Sequence, residues 1–241
     1  MKLEIIGFTI ESCITAQAGG AQRIELCDNP LEGGTTPSYG FIAAARKKLS
    51  IELYVMIRPR GGDFFYSNDE FEIMKADIEI CKQLGCDGVV FGLLNRDGEV
   101  DKKRCLQLVD LAYPLGVTFH RAFDRAKDPY RALEDIIETG FERILTSGQC
   151  PKSIDGMEIL KELNMLANDR IIIMPGSGVN AANILLIAEI TGARELHSSA
   201  SMFIESGTGY TNPSMNESLK HIAVNRKEVE AMSELLKNYA K

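Results

Sequence analysis

The feature that most limits how this chain can fold is an alternation. Short β-rich runs and longer helical patterns follow one another eight times along 241 residues. The strand candidates are Leu3–Ile6, Arg23–Cys27, Leu53–Arg58, Gly88–Phe91, Val117–His120, Arg143–Thr146, Ile171–Met174 and Glu195–His197. Their starts lie about 20 to 35 residues apart, the length of a unit in which a helix returns the chain to a parallel strand. Between them, Phe71–Leu84 is apolar at Phe71, Met74, Ile78 and Cys81, and Leu106–Leu115 has the same helical spacing. Ser67 and Glu70 form a capping-box pattern, and Asp128-Pro129 sets a cap residue before a first-turn proline. Five helices are expected to stop at Gly19, Gly85, Gly116, Gly140 and Gly192, because the residue after a helix often takes a positive φ.

Eight such units in about 200 residues predict an α/β fold of the TIM (β/α)8-barrel type rather than an open doubly wound sheet. A dinucleotide-binding sheet would carry G-x-G-x-x-G after its first strand, and here Gly7 stands alone. Ser199–Ser214 reads as a loop and Glu217–Asn238 as an additional C-terminal helix, so residues 1–241 are expected to form one barrel domain.

Composition narrows the function. No apolar run approaches the roughly 20 residues of a membrane helix. The opening MKLEIIGFTIESC has no signal-peptide core, which leads to the expectation of a cytoplasmic protein without a membrane partner. The net charge of −7 argues against nucleic acid as a partner. The six cysteines include no C-x-x-C pair and read as reduced thiols.

Strand residues of a barrel alternate between the interior and the helical layer. Ile24, Leu26, Val55, Ile57, Val117, Phe119 and Leu196 suit the helical side, which turns Glu25, Cys27, Arg58, His120, Thr146 and His197 inward. Nearly all of these lie at the C-terminal ends of strands, where barrels keep their active sites. Glu25, Arg58, His120, Arg121 and His197 are therefore the candidate catalytic group, with the histidines as acid–base residues and the arginines as an anion clamp, unless Glu25 simply pairs with Arg58 or the arginines with Asp63 and Asp124. Arg60, Gly176, Ser177, Gly178 and Ser198 are the candidate anion-binding set, since barrels often seat phosphate between the loops after strands 7 and 8. No strand exit carries a lysine for Schiff-base chemistry, and neither H-x-H nor H-E-x-x-H occurs. A metal site from Glu25, His120 and His197 is geometrically possible, with Cys27 as the soft ligand or merely a buried core residue.

The segments RIELC (23–27), GGTTPS (33–38), VMIRPRGGDF (55–64), MKADI (74–78), TFHRAFD (118–124), RILTSG (143–148) and MPGSGV (174–179) resemble the CutC family, named for copper homeostasis, in colinear order over roughly residues 3–200. The resemblance implies a TIM barrel, a cytoplasmic protein, a homodimer or higher homo-oligomer, and a role in copper tolerance or Cu(I) binding with Cys27 as a ligand. Two departures stand out. Where many members carry E-x-C-x-D-S in strand 1, this chain has Ile6 for the cysteine and Phe8 for the acid. Where many carry an arginine after strand 8, it has Ser201. The expectations are thus a copper homeostasis protein that takes up Cu(I), or an enzyme acting on a small anionic, possibly phosphorylated, ligand.

Overall fold

The computed structural model describes residues 1–239. Eight parallel strands, β1 (Lys2–Gly7), β2 (Arg23–Leu26), β3 (Glu52–Met56), β4 (Gly88–Phe91), β5 (Gly116–Phe119), β6 (Arg143–Thr146), β7 (Ile172–Pro175) and β8 (Glu195–Ser198), form one sheet in the order β7-β6-β5-β4-β3-β2-β1-β8. β7 lies beside β8 without a ladder between them, so the sheet is a nearly closed barrel. Seven helices alternate with the strands: α1 (Ile10–Ala18), α2 (Tyr39–Lys48), α3 (Asn68–Gln83), α4 (Lys102–Ala112), α5 (Pro129–Glu138), α6 (Met157–Ala167) and α7 (Ile184–Thr191). The eighth, α8 (Arg226–Tyr239), packs near α1 and α7. Among the described residues no helix is long and apolar enough to cross a membrane.

Local chemistry sets the helix starts. Ser67 accepts the Glu70 N–H while the Glu70 carboxylate accepts the Ser67 N–H, a complete capping box. Asp128 caps α5 through the N–H groups of Tyr130 and Arg131, with Pro129 in its first turn. Four of the five expected glycine stops lie at helix ends, but Gly116 is the first residue of β5. The reason is tertiary: a Cβ on Gly116 would stand 2.1 Å from Tyr54 Oη, so the glycine makes room for an aromatic ring inside the barrel.

The C-terminal region differs from its sequence reading. Segment 199–214 contains a strand, β9 (Ser201–Ile204), which pairs antiparallel with β10 (His221–Val224). The final helix starts at Arg226 rather than at Glu217. Alternating apolar residues on two short runs had too little length to stand out from a helical pattern.

Two apolar clusters fill the molecule. The larger lies between strands and helices and includes Ile24, Leu26, Val55, Ile57, Val117, Phe119 and Leu196. A small one inside the barrel holds Ile6, Cys27, Tyr54, Met56 and Val90. Thr146 does not face inward as expected. Leu145 turns toward the interior cavity, and Thr146 instead donates to Asp124 Oδ1. Below the cavity, Arg23 and Arg143 lie over the Tyr54 ring, 4.9 and 5.3 Å from its centroid, and both donate to Glu195 Oε2 at 2.6 and 2.7 Å.

Candidate active site

Above that charged floor, at the C-terminal ends of the strands, opens a cavity of about 290 Å³. Glu25, Arg58, His120, Arg121, Ser177, Gly178 and His197 line it together with apolar Ile6, Met56, Phe64 and Leu145, and Ser201 and Ile222 of the β9–β10 hairpin close one side. The exits of β2, β3, β5, β7 and β8 thus deliver their polar groups to one space.

Its centre is a series of three buried side chains. Glu4 of β1 binds His197 Nδ1 through Oε1 at 2.7 Å and accepts from Arg23 Nε through Oε2. His197 Nε2 points toward Glu25, 3.9 Å from Oε2. Burial works against the Glu4 charge, but Arg23 and His197 overcome it and hold Glu4 far below the usual carboxylate range. Burial likewise opposes the His197 imidazolium, and Glu25 and Glu4 together raise it above the ordinary histidine value. Glu25 accepts no hydrogen bond from a cation among the described residues; its one cationic neighbour there within 4 Å is His197 at 3.9 Å. Burial, reinforced by Glu4 and opposed by His197, pushes it up to about 7. Glu25 Oε1 is buried without a hydrogen-bond partner.

His120 has the opposite character. Its Nδ1 accepts the Ala122 N–H at 3.2 Å, so the neutral ring carries its proton on Nε2. Burial and the nearby Arg58 charge push it down to about 3, which keeps it neutral. Nε2 is buried and unpartnered, and Phe64 packs on the ring at 4.8 Å. His120 is thus a hydrogen-bond donor at neutral pH, not a base.

The arginines divide. Arg58 has no carboxylate partner among the described residues; it donates from Nη1 to the carbonyls of Glu32 and Gly34 and from Nη2 to that of Gly62, which ties the β2 and β3 loops together, and its Nε is free. Arg121 lies at the cavity edge, held by Asp124 at 2.7 Å and Ser147 at 2.9 Å. Arg60 is outside the cavity, bound to Glu70 and Asp63.

Of the anion set, Ser177 and Gly178 reach the cavity, both at positive φ. Gly176 lies deeper, its N–H bonded to Thr146 O, and the Ser198 hydroxyl is spent on Val179 O. The segment leading into α7 is occupied by the protein itself: Asn183 takes the Asn180 N–H, Asn180 the Ala182 N–H and Glu228 the Ala181 N–H. The N–H groups of Ser177, Gly178 and Val179 have no partner among the described residues, so anion-binding capacity sits in the loop rather than at the helix.

Cys27 lies behind the cavity wall, fully buried, with Sγ donating to Glu25 Oε2 at 3.7 Å. Burial and Glu25 push its thiol well above the ordinary value. Glu4, Glu25 and His197 can bring one donor atom each within 4.8 Å of one another. Two carboxylates and an imidazole are hard or borderline ligands, unlike the soft set that Cu(I) selects. Glu4 is the participant that sequence reasoning did not name. Its signal was the one acid of β1, at an inward position between apolar Leu3 and Ile5.

The fold and this cavity define a (β/α)8 barrel with an ionisable site at its C-terminal face. The CutC family model matches residues 1–202, and the chain belongs to that family. It is 52% identical over 208 residues to the CutC family protein of Chromobacterium violaceum, covering 86% of this chain and 84% of that one. It is 49% identical over 221 residues to the copper homeostasis protein cutC homolog of Mus musculus, covering 91% and 81%. A crystal structure named as copper homeostasis protein CutC from Streptococcus agalactiae superposes with a TM-score of 0.79 at 35% identity, covering 83% of this chain and 98% of that one.

Proposed function

We propose that this CutC-family barrel is an acid–base site for a small anionic metabolite. One observation carries the reading: two buried, unpartnered polar atoms, Glu25 Oε1 and His120 Nε2, belong to side chains lining the same cavity. Buried polar groups are normally bonded, and exceptions concentrate where a ligand completes them. In this reading Glu25, poised near neutrality, takes or returns a proton. Glu4 orients His197, and His197 stands behind Glu25 as its electrostatic partner. His120 donates to the oxygen on which negative charge grows. Arg58, Arg121 and the free amides of Ser177–Val179 favour an anion. All six cysteines are free, which suits the reducing compartment expected from the sequence.

The test is a thermal-shift screen of small phosphorylated and carboxylated metabolites against wild type, Glu25→Gln, His120→Asn and Cys27→Ser. We expect a compound that raises the wild-type and Cys27→Ser melting temperatures by several degrees and leaves the other two variants unmoved. A screen in which no compound separates wild type from Glu25→Gln and His120→Asn overturns the reading.

Uptake of Cu(I) at Cys27 is a second reading, favoured by one contact. A Cβ on Gly34 would stand 3.1 Å from Cys27 Sγ and 3.7 Å from Met56 Cε, so a thiol and a thioether side chain meet beside the cavity. Glu25, bonded to that thiol, could accept the proton that copper displaces. Anaerobic competition with a chromophoric Cu(I) chelator, lost in Cys27→Ser, would establish it.

A further inference from the structure

The wall that the β9–β10 hairpin gives the cavity is used by neither reading. The chain leaves β8 through Ala200 at φ +42°, a left-handed conformation that alanine keeps only where its surroundings impose it. The Ala200 N–H donates to Ser198 Oγ at 3.1 Å, and that hydroxyl donates to Val179 O at 2.6 Å, so the root of the hairpin is tied to the loop after β7. The second strand is fastened too. The Asn225 N–H donates to Ala200 O at 2.7 Å, and the Val224 N–H donates to Ser12 Oγ of α1 at 3.2 Å.

Register assigns the two faces of the hairpin. Val224 stands opposite Ser201, and Ile222 opposite Phe203. Residues directly opposite one another share a face, as do residues two apart on one strand. Ser201 and Ile222 line the cavity, so Val224 and Phe203 belong to the cavity face as well, while Met202 and Ile204 turn to the other. Along the cavity face exposure rises away from the root: Val224 is buried, Ile222 is half-buried and Phe203 is 69% exposed. The Phe203 ring thus continues the apolar wall past the mouth of the cavity.

The cavity is polarised across the barrel. In the ring of strands β1 stands opposite β5. Of the groups proposed to seat the anion, Arg121 and the Ser177–Val179 amides follow β5 and β7, while Arg58 after β3 spends both Nη groups on carbonyls. On the facing side, Ile6 of β1 and Phe8 just past it line the cavity, and the hairpin that carries Ile222 packs on α1, which follows β1. The two hydroxyls of that side, Ser199 and Ser201, bond to each other at 3.2 Å. A polyhydroxylated ligand turned to this wall would leave hydroxyls unpartnered, whereas a hydrocarbon group would shed only water. We propose that the hairpin selects the ligand: Ile222 and Phe203, with Ile6 and Phe8, hold a hydrocarbon group, so the cavity takes a small anion bearing an aromatic or branched apolar substituent. This rests on the reading that the cavity seats an anion, and it assigns the other end of the ligand.

The test compares two probes that share a phosphate group, phenyl phosphate and glycerol phosphate, by isothermal titration calorimetry on the full-length chain. Wild type is expected to bind phenyl phosphate at least about tenfold more tightly, the discrimination that even one methylene in an apolar pocket supplies. Phe203→Ala and Ile222→Ser are each expected to lower that ratio severalfold, and the double variant to bring it close to unity, with glycerol phosphate binding unchanged. A wild type that binds neither probe or prefers neither, or a preference that survives in the double variant, overturns the proposal. Circular dichroism checks folding. Should the double variant not fold, Phe203→Ala decides, because its side chain is exposed, and an unchanged ratio there overturns the proposal. If the face instead covers a second copy of the chain, Phe203→Ala lowers the mass seen by light scattering and keeps the preference, which overturns it as well. The metabolite screen turns on Glu25→Gln and His120→Asn, and this ratio on Phe203 and Ile222, so each reading can fail while the other stands.

Discussion

At the scale of single residues, Glu25 and His120 show how one environment drives two groups in opposite chemical senses. Burial disfavours charge on both, so the carboxyl is raised and the imidazole lowered. Each is thereby left neutral over part of the physiological range while lining the same cavity. This has a consequence for stability. A glutamate at about 7 in the fold against 4.5 unfolded binds more protons folded than unfolded between those values. Stability contributed by Glu25 is therefore present at acid pH and falls as the pH rises from 4.5 through 7. Glu25→Gln removes that loss. We expect it to raise unfolding free energy at pH 8 by on the order of 2–3 kcal/mol relative to wild type, and by much less at pH 5. Urea unfolding at both pH values measures the difference, and an equal change at both would show that Glu25 does not titrate in this range.

At the scale of elements, sequence and structure agree where local chemistry decides and part where a neighbour does. The capping box at Ser67 was legible because its bonds join residues three apart. Ser67→Ala should cost about 1 kcal/mol, read as a shift of the denaturation midpoint, because it strands the Glu70 N–H. Gly116 was misread because a glycine between a helical pattern and a strand looks the same whether it ends one or admits a ring into the other. Thr146 was placed inward, yet the alternation through Arg143 and Leu145 puts it on the other side, holding Asp124. Arg60 sits close in sequence to Arg58 but is drawn away from the cavity by Asp63 and Glu70. The β9–β10 hairpin was missed because its register is set by cross-strand pairing over a sixteen-residue excursion.

At the scale of the whole molecule, the barrel interior is organised by charge as much as by apolar packing. Glu4 and Glu195 are held by Arg23, and Arg143 joins the set through Glu195. Arg23 has no exposed side-chain surface, and its carboxylate partners come from β1, β3 and β8. Arg23→Met would leave two interior carboxylates without this cation. The expected cost is about 3–5 kcal/mol, measured by chemical denaturation, since removing one member of a buried pair leaves an uncompensated charge. A loss below about 1 kcal/mol would mean that Arg143 and His197 suffice to hold the network.

The sequence by itself determined the barrel, because eight short strands separated by amphipathic helices can bury their apolar faces in few other ways. It also determined which strand ends would carry Glu25, Arg58, His120 and His197, because alternation along a strand is a local property. Only the tertiary structure decided what those groups are. Glu4 as the partner of His197, the donor tautomer of His120 and the loop-tying bonds of Arg58 all depend on atoms brought together by the folded backbone. Charge state follows from burial and from neighbours, and neither exists until the chain has closed around them.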